Sequence, residues 1–152
     1  MTLDKIIATG LGIGWIRKGG GTLAAAVCGL VWYLSFSGGY DPVVMLLVTV
    51  VLTDLGLWSA QAAEGYWGVD SHRVVIDEIA GMCVSLLFVP VSVYTVATGF
   101  VLFRIFDIWK PLYIRRLEAL PGGVGVMADD VLAGLYSNLI LQVLVWAGVF
   151  LI

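Results

Sequence analysis

Five apolar runs divide the chain, each closed by a polar or glycine-rich break. The first extends from about Thr22 to Phe36 and ends at Ser-Gly-Gly-Tyr-Asp-Pro, a turn signal. The second covers Val43 to about Ala63. The third starts near Val74 and reaches Val89, where Pro90 and Ser92 interrupt it. The fourth covers Val93 to about Ile108 and is limited by Pro111, and the last covers Val131 to Ile152. Several fall short of the roughly 20 residues that a perpendicular helix needs to cross a bilayer. The third and fourth helices are therefore expected to run beyond their apolar parts, with polar ends among the headgroups. The pattern predicts an all-α, polytopic membrane bundle of about five apolar helices, a single domain over residues 1–152 with no internal repeat.

Composition supports that reading. Hydrophobic residues make up 61% of the 152 positions, against roughly 45–50% in soluble domains. Charged residues are only 12%, about half the soluble norm of about 25%, too few to build a water-facing exterior. The excess apolar surface is expected to face lipid. A net charge of −3 argues against nucleic acid as a partner. Cys28 and Cys83 sit inside apolar runs without metal spacing and read as small packing hydrophobes. The opening MTLDKIIATG lacks the long apolar core of a cleavable leader, so membrane insertion is expected to rest on the internal runs.

Charge distribution sets the orientation. Lys5, Arg17 and Lys18 precede the first run, and Arg73 lies between the second and third. Arg104, Lys110, Arg115 and Arg116 lie at or after the end of the fourth. An alternating thread of five spans places all of these bases on one side, which the positive-inside rule makes cytoplasmic. Glu64, Asp70, Asp77, Glu78, Asp107, Glu118, Asp129 and Asp130 share that side, leaving Asp41 opposite in an ordinary Asp-Pro turn.

Four segments on the loaded side carry candidate chemistry. In VVIDEIAG, Asp77 and Gly81 share a helix face, and the small residue lets another helix approach the carboxylates. Two acids at a helix start also suit the helix dipole without any further role. In FRIFDIWKP, Arg104, Asp107 and Lys110 recur every third residue, as in a phosphate- and metal-holding site or an interfacial salt-bridge ladder. In PGGVGVMADD, a glycine-rich loop is expected to deliver Asp129 and Asp130 to the start of the last span. Paired hard oxygen ligands of this kind suit Mg²⁺. In Lys18-Gly19-Gly20-Gly21-Thr22, free backbone N–H groups before a helix suit an anion, although the order is not that of a Walker A loop. His72 reads as a surface residue. Asp54, deep in the second run, is either a functional acid or a neutral, hydrogen-bonded one.

Taken together, these segments resemble the phosphatidylglycerophosphatase A family. LFRIFDIWKPLYIRRLEALPGGVGVMADDVLAG resembles that family's FR-FD-KP block followed by its GG-G-M-DD-AG block. VVIDEIAG, preceded by Glu64 and Asp70, is similar to its central acidic motif. Near the N-terminus the family usually has a Pro-Gly-Thr element where this chain reads RKGGGTLAAAV. The resemblance implies hydrolysis of the terminal phosphate of phosphatidylglycerophosphate, with Mg²⁺, at the cytoplasmic side of the bacterial inner membrane. The partners expected are the membrane and its phospholipid substrate.

On this reading Mg²⁺ is held by a subset of Asp77, Glu78, Asp129 and Asp130, and phosphate is bound by Lys18, Thr22, Arg104 and Lys110. Asp77, Asp107, Lys110 and Asp130 are the catalytic candidates. Metal-activated water and an aspartyl-phosphate both remain open as routes. A CDP-alcohol phosphotransferase is disfavoured because its DG-AR-G-D-D pattern is missing, and a two-histidine lipid phosphatase because His72 is the lone histidine. A non-catalytic ion carrier or scaffold is the alternative of another class, but a carrier should place charges through the midplane, where only Asp54 lies.

Overall fold

The structure, a computed structural model, describes residues 2–16, 18–39, 41–69 and 71–150. Arg17, Asp70 and the last two residues of the fifth apolar run lie outside them. The described residues are helical, with no strand: α1 (Leu3–Ala8), α2 (Gly20–Phe36), α3 (Pro42–Trp67), α4 (Ile76–Leu86), α5 (Val93–Trp109), α6 (Ile114–Glu118) and α7 (Gly123–Trp146). A 3₁₀ turn, Ile13–Trp15, joins α1 to α2. The apolar runs fall on α2, α3, α4, α5 and α7, but these helices differ in reach. Among the described residues, only α3 and α7, at 26 and 24 residues, are long and apolar enough to cross a membrane. The expectation of about five membrane helices is therefore not carried by helix length.

The third run departs furthest from expectation. Its helix, α4, covers only 11 residues, about 16 Å at 1.5 Å per residue, and is shorter than the apolar run rather than longer. The chain leaves the helix at Leu87, which is extended, and Phe88 takes a left-handed φ of 61°. Pro90 follows and disfavours helix in the residue before it.

Short as it is, α4 is the centre of the bundle and packs against α2, α3, α5 and α7. A helix that ends inside the protein leaves its last carbonyls without intrahelical partners. Asn138 of α7 supplies them: its Nδ2 donates to the carbonyls of Ser85 at 3.0 Å and Leu87 at 2.7 Å. Gln142 holds Asn138 in turn, donating to its Oδ1 at 2.8 Å. The Ser85 hydroxyl donates to the Gly99 carbonyl of α5 at 3.2 Å.

Two glycines let α4 and α7 touch backbone to backbone. A Cβ on Gly134 would lie 2.3 Å from the Gly81 carbonyl oxygen, and one on Gly81 would lie 2.7 Å from that of Asp130. Phe103, Met82, Leu86 and Leu141 fill the space beneath this crossing. A second apolar cluster of Ala8, Ala60, Ile76 and Met127 seats α1 and the end of α3. Cys28 and Cys83 are free thiols with sulfurs 3.5 Å apart, packed between α2 and α4. The outer faces are apolar as well: Leu30 and Leu34 on α2, Leu47 and Val51 on α3, and Leu139 and Val143 on α7 are exposed.

Replacing Asn138 by Leu is expected to strand the two α4 carbonyls, at a cost of about 1–3 kcal/mol. Denaturation of the detergent-solubilised protein should show that loss, with a smaller one for Gln142→Leu, which leaves both bonds to α4 in place.

Candidate functional site

One end of the bundle gathers the polar residues, because helices that alternate in direction start or end there. The start of α2 lies against the start of α4: a Cβ on Gly21 would fall 1.8 Å from Glu78 Oε1, so a larger residue there would displace that carboxylate. The end of α3 meets the start of α7 through Gln61, whose Oε1 accepts from the Gly123 N–H at 3.0 Å. The end of α5 is tied to α7 by Lys110.

The glycine-rich segment is not the loop expected from sequence. α7 begins at Gly123, eight residues before Val131, so Asp129 and Asp130 project from its second turn. The glycines are helical because they pass against neighbouring backbone. A Cβ on Gly123 would lie 2.6 Å from Gln61 N, and one on Gly125 would lie 2.1 Å from Leu120 O.

Three carboxylates from two helices converge. Asp77 and Glu78, in the first turn of α4, and Asp130 each offer an oxygen, all within 4.8 Å of one another. Asp77 Oδ1 and Glu78 Oε2 are buried and have no hydrogen-bond partner among the described residues. The α4 dipole favours the first two, but like charges this close repel strongly in a desolvated setting. A hard divalent cation with oxygen ligands would remove that repulsion and engage the orphaned atoms, so the residues present fit one.

Asp129 stands beside this trio. Its Oδ2 accepts from Lys110 at 2.8 Å, while its Oδ1 is buried and unpartnered. Lys110 also meets Glu118 at 2.9 Å, a partner that the sequence reading had placed on this face without a role. Burial disfavours the Lys110 ammonium, but the hydrogen bonds to Asp129 and Glu118 outweigh it and raise its pKa above the usual lysine value. The sign is that of a raised lysine: its contribution to stability is full below the ordinary value of 10.5 and fades as pH rises beyond it.

Arg104 pairs with Asp107 along α5, with side chains only 15% and 13% exposed. Asp107 also neighbours Asp130, which joins the pair to the carboxylate trio. The three-residue ladder is thus split: Asp107 holds Arg104, whereas Lys110, at the left-handed C-cap with φ of 49°, turns to α7. Arg104 Nε is buried, with no hydrogen-bond partner among the described residues.

The remaining candidates lie further out. Thr22 is exposed and shares an apolar furrow with Arg104, while Lys18 is exposed just before α2. Glu64 is part-buried near the end of α3, outside the trio, and His72 and Asp54 are exposed. Arg73 stacks on Trp15 and Trp67, with its guanidinium carbon 5.1 and 5.6 Å from their ring centroids.

A helical bundle that gathers acids beside an arginine and a lysine at one end has the groups to handle a phosphate ester. A family model described as Phosphatidylglycerophosphatase A matches residues 6–145, and the chain belongs to that family. It is 36% identical over 138 residues to phosphatidylglycerophosphatase A of Escherichia coli, covering 87% of this chain and 77% of that protein. The Haemophilus influenzae phosphatidylglycerophosphatase A is 36% identical over 141 residues, 89% of this chain and 84% of that one. A Bacteroides thetaiotaomicron protein named as a putative phosphatidylinositol-3-phosphatase is 41% identical over 152 residues, covering 95% and 94% of the two chains. No solved structure matches.

Lys110→Met is expected to leave Asp129 buried without its cation. The loss should be about 3–5 kcal/mol if the pair behaves as fully buried, and less because Lys110 is partly exposed. Asp129→Asn should cost less, since the partly exposed Lys110 keeps Glu118 as its partner and the amide oxygen can still accept from it, and comparison of the two denaturation midpoints checks the order.

Proposed function

We propose that the chain removes the terminal phosphate of phosphatidylglycerophosphate, yielding phosphatidylglycerol and inorganic phosphate with Mg²⁺ at the site. The observation that carries this reading is the convergence of Asp77, Glu78 and Asp130 within 4.8 Å, beside the Arg104–Asp107 pair. Those three residues would hold Mg²⁺, with Asp129 adjacent. When bound, the ion would polarise a phosphoryl oxygen or lower the pKa of a coordinated water.

The chain's own groups divide the rest of the work. Arg104, held by Asp107 with its Nε still free, offers a guanidinium to phosphoryl oxygens as negative charge develops on them. Lys110 orients Asp129 and adds positive charge near the phosphate. Asp107 lies between Arg104 and Asp130, where it keeps the guanidinium in place and can position a water. Thr22 and Lys18, at the start of α2, form the outer rim toward the headgroup.

The setting follows from the apolar exterior and the pooled charges. On this reading the protein resides in the bacterial inner membrane as a multi-pass protein with the site facing the cytoplasm, a placement that the one-sided distribution of Lys and Arg supports. The 41% identical relative supports a second substrate reading, a phosphoinositide monoester, which presents the same group on a different headgroup.

Phosphate release from phosphatidylglycerophosphate and from phosphatidylinositol 3-phosphate in mixed micelles decides between them. The expected result is release from the glycerol lipid that chelation abolishes and Mg²⁺ restores. Asp130→Asn should lower it by about 10²-fold or more, the scale of one lost transition-state interaction. A preference for the inositol lipid would move the substrate assignment, and no release from either would contradict the phosphatase reading.

A further inference from the structure

An apolar furrow runs down the bundle between α2 and α5, with Arg104 at its head. Its upper part is lined by Thr22, Phe100, Val101, Arg104, Ile105 and Trp109, among others, and encloses about 480 Å³. Its lower part, of about 350 Å³, shares Phe100 and continues past Ala26, Leu30, Tyr33, Val93 and Ala97. From Thr22 to Tyr33 the furrow follows α2 for about 16 Å at 1.5 Å per residue, roughly the depth of one leaflet of a 30 Å hydrocarbon core.

Among the described residues, Arg104 is the one charged side chain lining either part. It lies at the end next to the carboxylates, and its buried Nε has no partner. A permanent cation at the top of a trough that is otherwise almost wholly apolar matches a ligand with an anionic head and a hydrocarbon tail. A soluble phosphate ester would gain nothing from the lower trough. The small residues Ala26 and Ala97 keep that trough open, and both are exposed.

We infer that the α2/α5 furrow seats one acyl chain of the lipid monoester, entering from the bilayer so that its phosphate is drawn past Arg104 to the carboxylates. This rests on the phosphatase reading above for the identity of the headgroup, but it makes a separate claim about where the chain lies. Van der Waals contact with the trough aligns the lipid along α2 while Arg104 guides the phosphate from the furrow toward the carboxylates.

The probe is phosphatidylglycerophosphate carrying a diazirine midway along one acyl chain, photolysed in mixed micelles with the intact protein. The control is phosphatidylcholine carrying the same group. The monoester is expected to label peptides of α2 and α5 several-fold more than the control does, and Ala97→Phe should remove that excess by filling the trough. Ala26→Phe, from the α2 side, serves the same purpose should the first variant fail to fold. Equal labelling by both lipids, or an excess that survives both substitutions, would overturn the furrow. Labelling does not require turnover, so an absence of phosphate release would count against the proposed reaction and not against this assignment.

Discussion

Everything at the polar end depends on how closely α4 and α7 cross. Gly81 and Gly134 allow the two backbones to meet where any Cβ would collide with a carbonyl, and that approach places Asp130 within reach of Asp77 and Glu78. Close packing of small residues and interhelical hydrogen bonds carry this association. The Asn138 bonds to the end of α4 serve the second role. The same pair of helices is thus fastened at its apolar end by an amide and left with unfavourably close acids at its polar end.

That arrangement links stability to function. A short helix buried on all sides positions its first turn rigidly, because its neighbours on four helices leave it nowhere to shift. The cost is a set of carboxylate oxygens without partners among the described residues, at the end of the bundle where we propose that a cation and the phosphate ester meet. The positive partners are fixed separately, Arg104 by Asp107 and Lys110 by Asp129 and Glu118. The bases therefore arrive already oriented, and the acids stay available to a metal.

Much of this was legible in the sequence, for definite reasons. The apolar runs marked the main helices because uninterrupted hydrophobic sequence leaves few other conformations, and the one-sided charges marked the polar end. Asp77, Glu78 and Asp130 stood out because acids within apolar sequence need a reason to be there. Three things were not legible. The PGGVGVMADD segment reads as a loop by glycine content, yet tertiary contacts with Gln61 and Leu120 make it helical. The early end of α4 depends on a left-handed Phe88 that no local pattern announces. Asn138 and Gln142 are amides in an otherwise apolar run, and their role becomes visible only once Asn138 lies beside the α4 carbonyls.

The central claim is that Asp77, Glu78 and Asp130 share one divalent cation, and binding of Mn²⁺ as a spectroscopic substitute for Mg²⁺ tests it without any substrate. Titration of the purified protein, followed by electron paramagnetic resonance, should show a bound ion in the native sequence. Asp77→Asn, Glu78→Gln and Asp130→Asn should each weaken it by more than about tenfold, the loss that changes around a metal site already produce, whereas Asp129→Asn should weaken it less. No bound ion in the native protein, or undiminished binding in all three variants of the trio, would contradict the account.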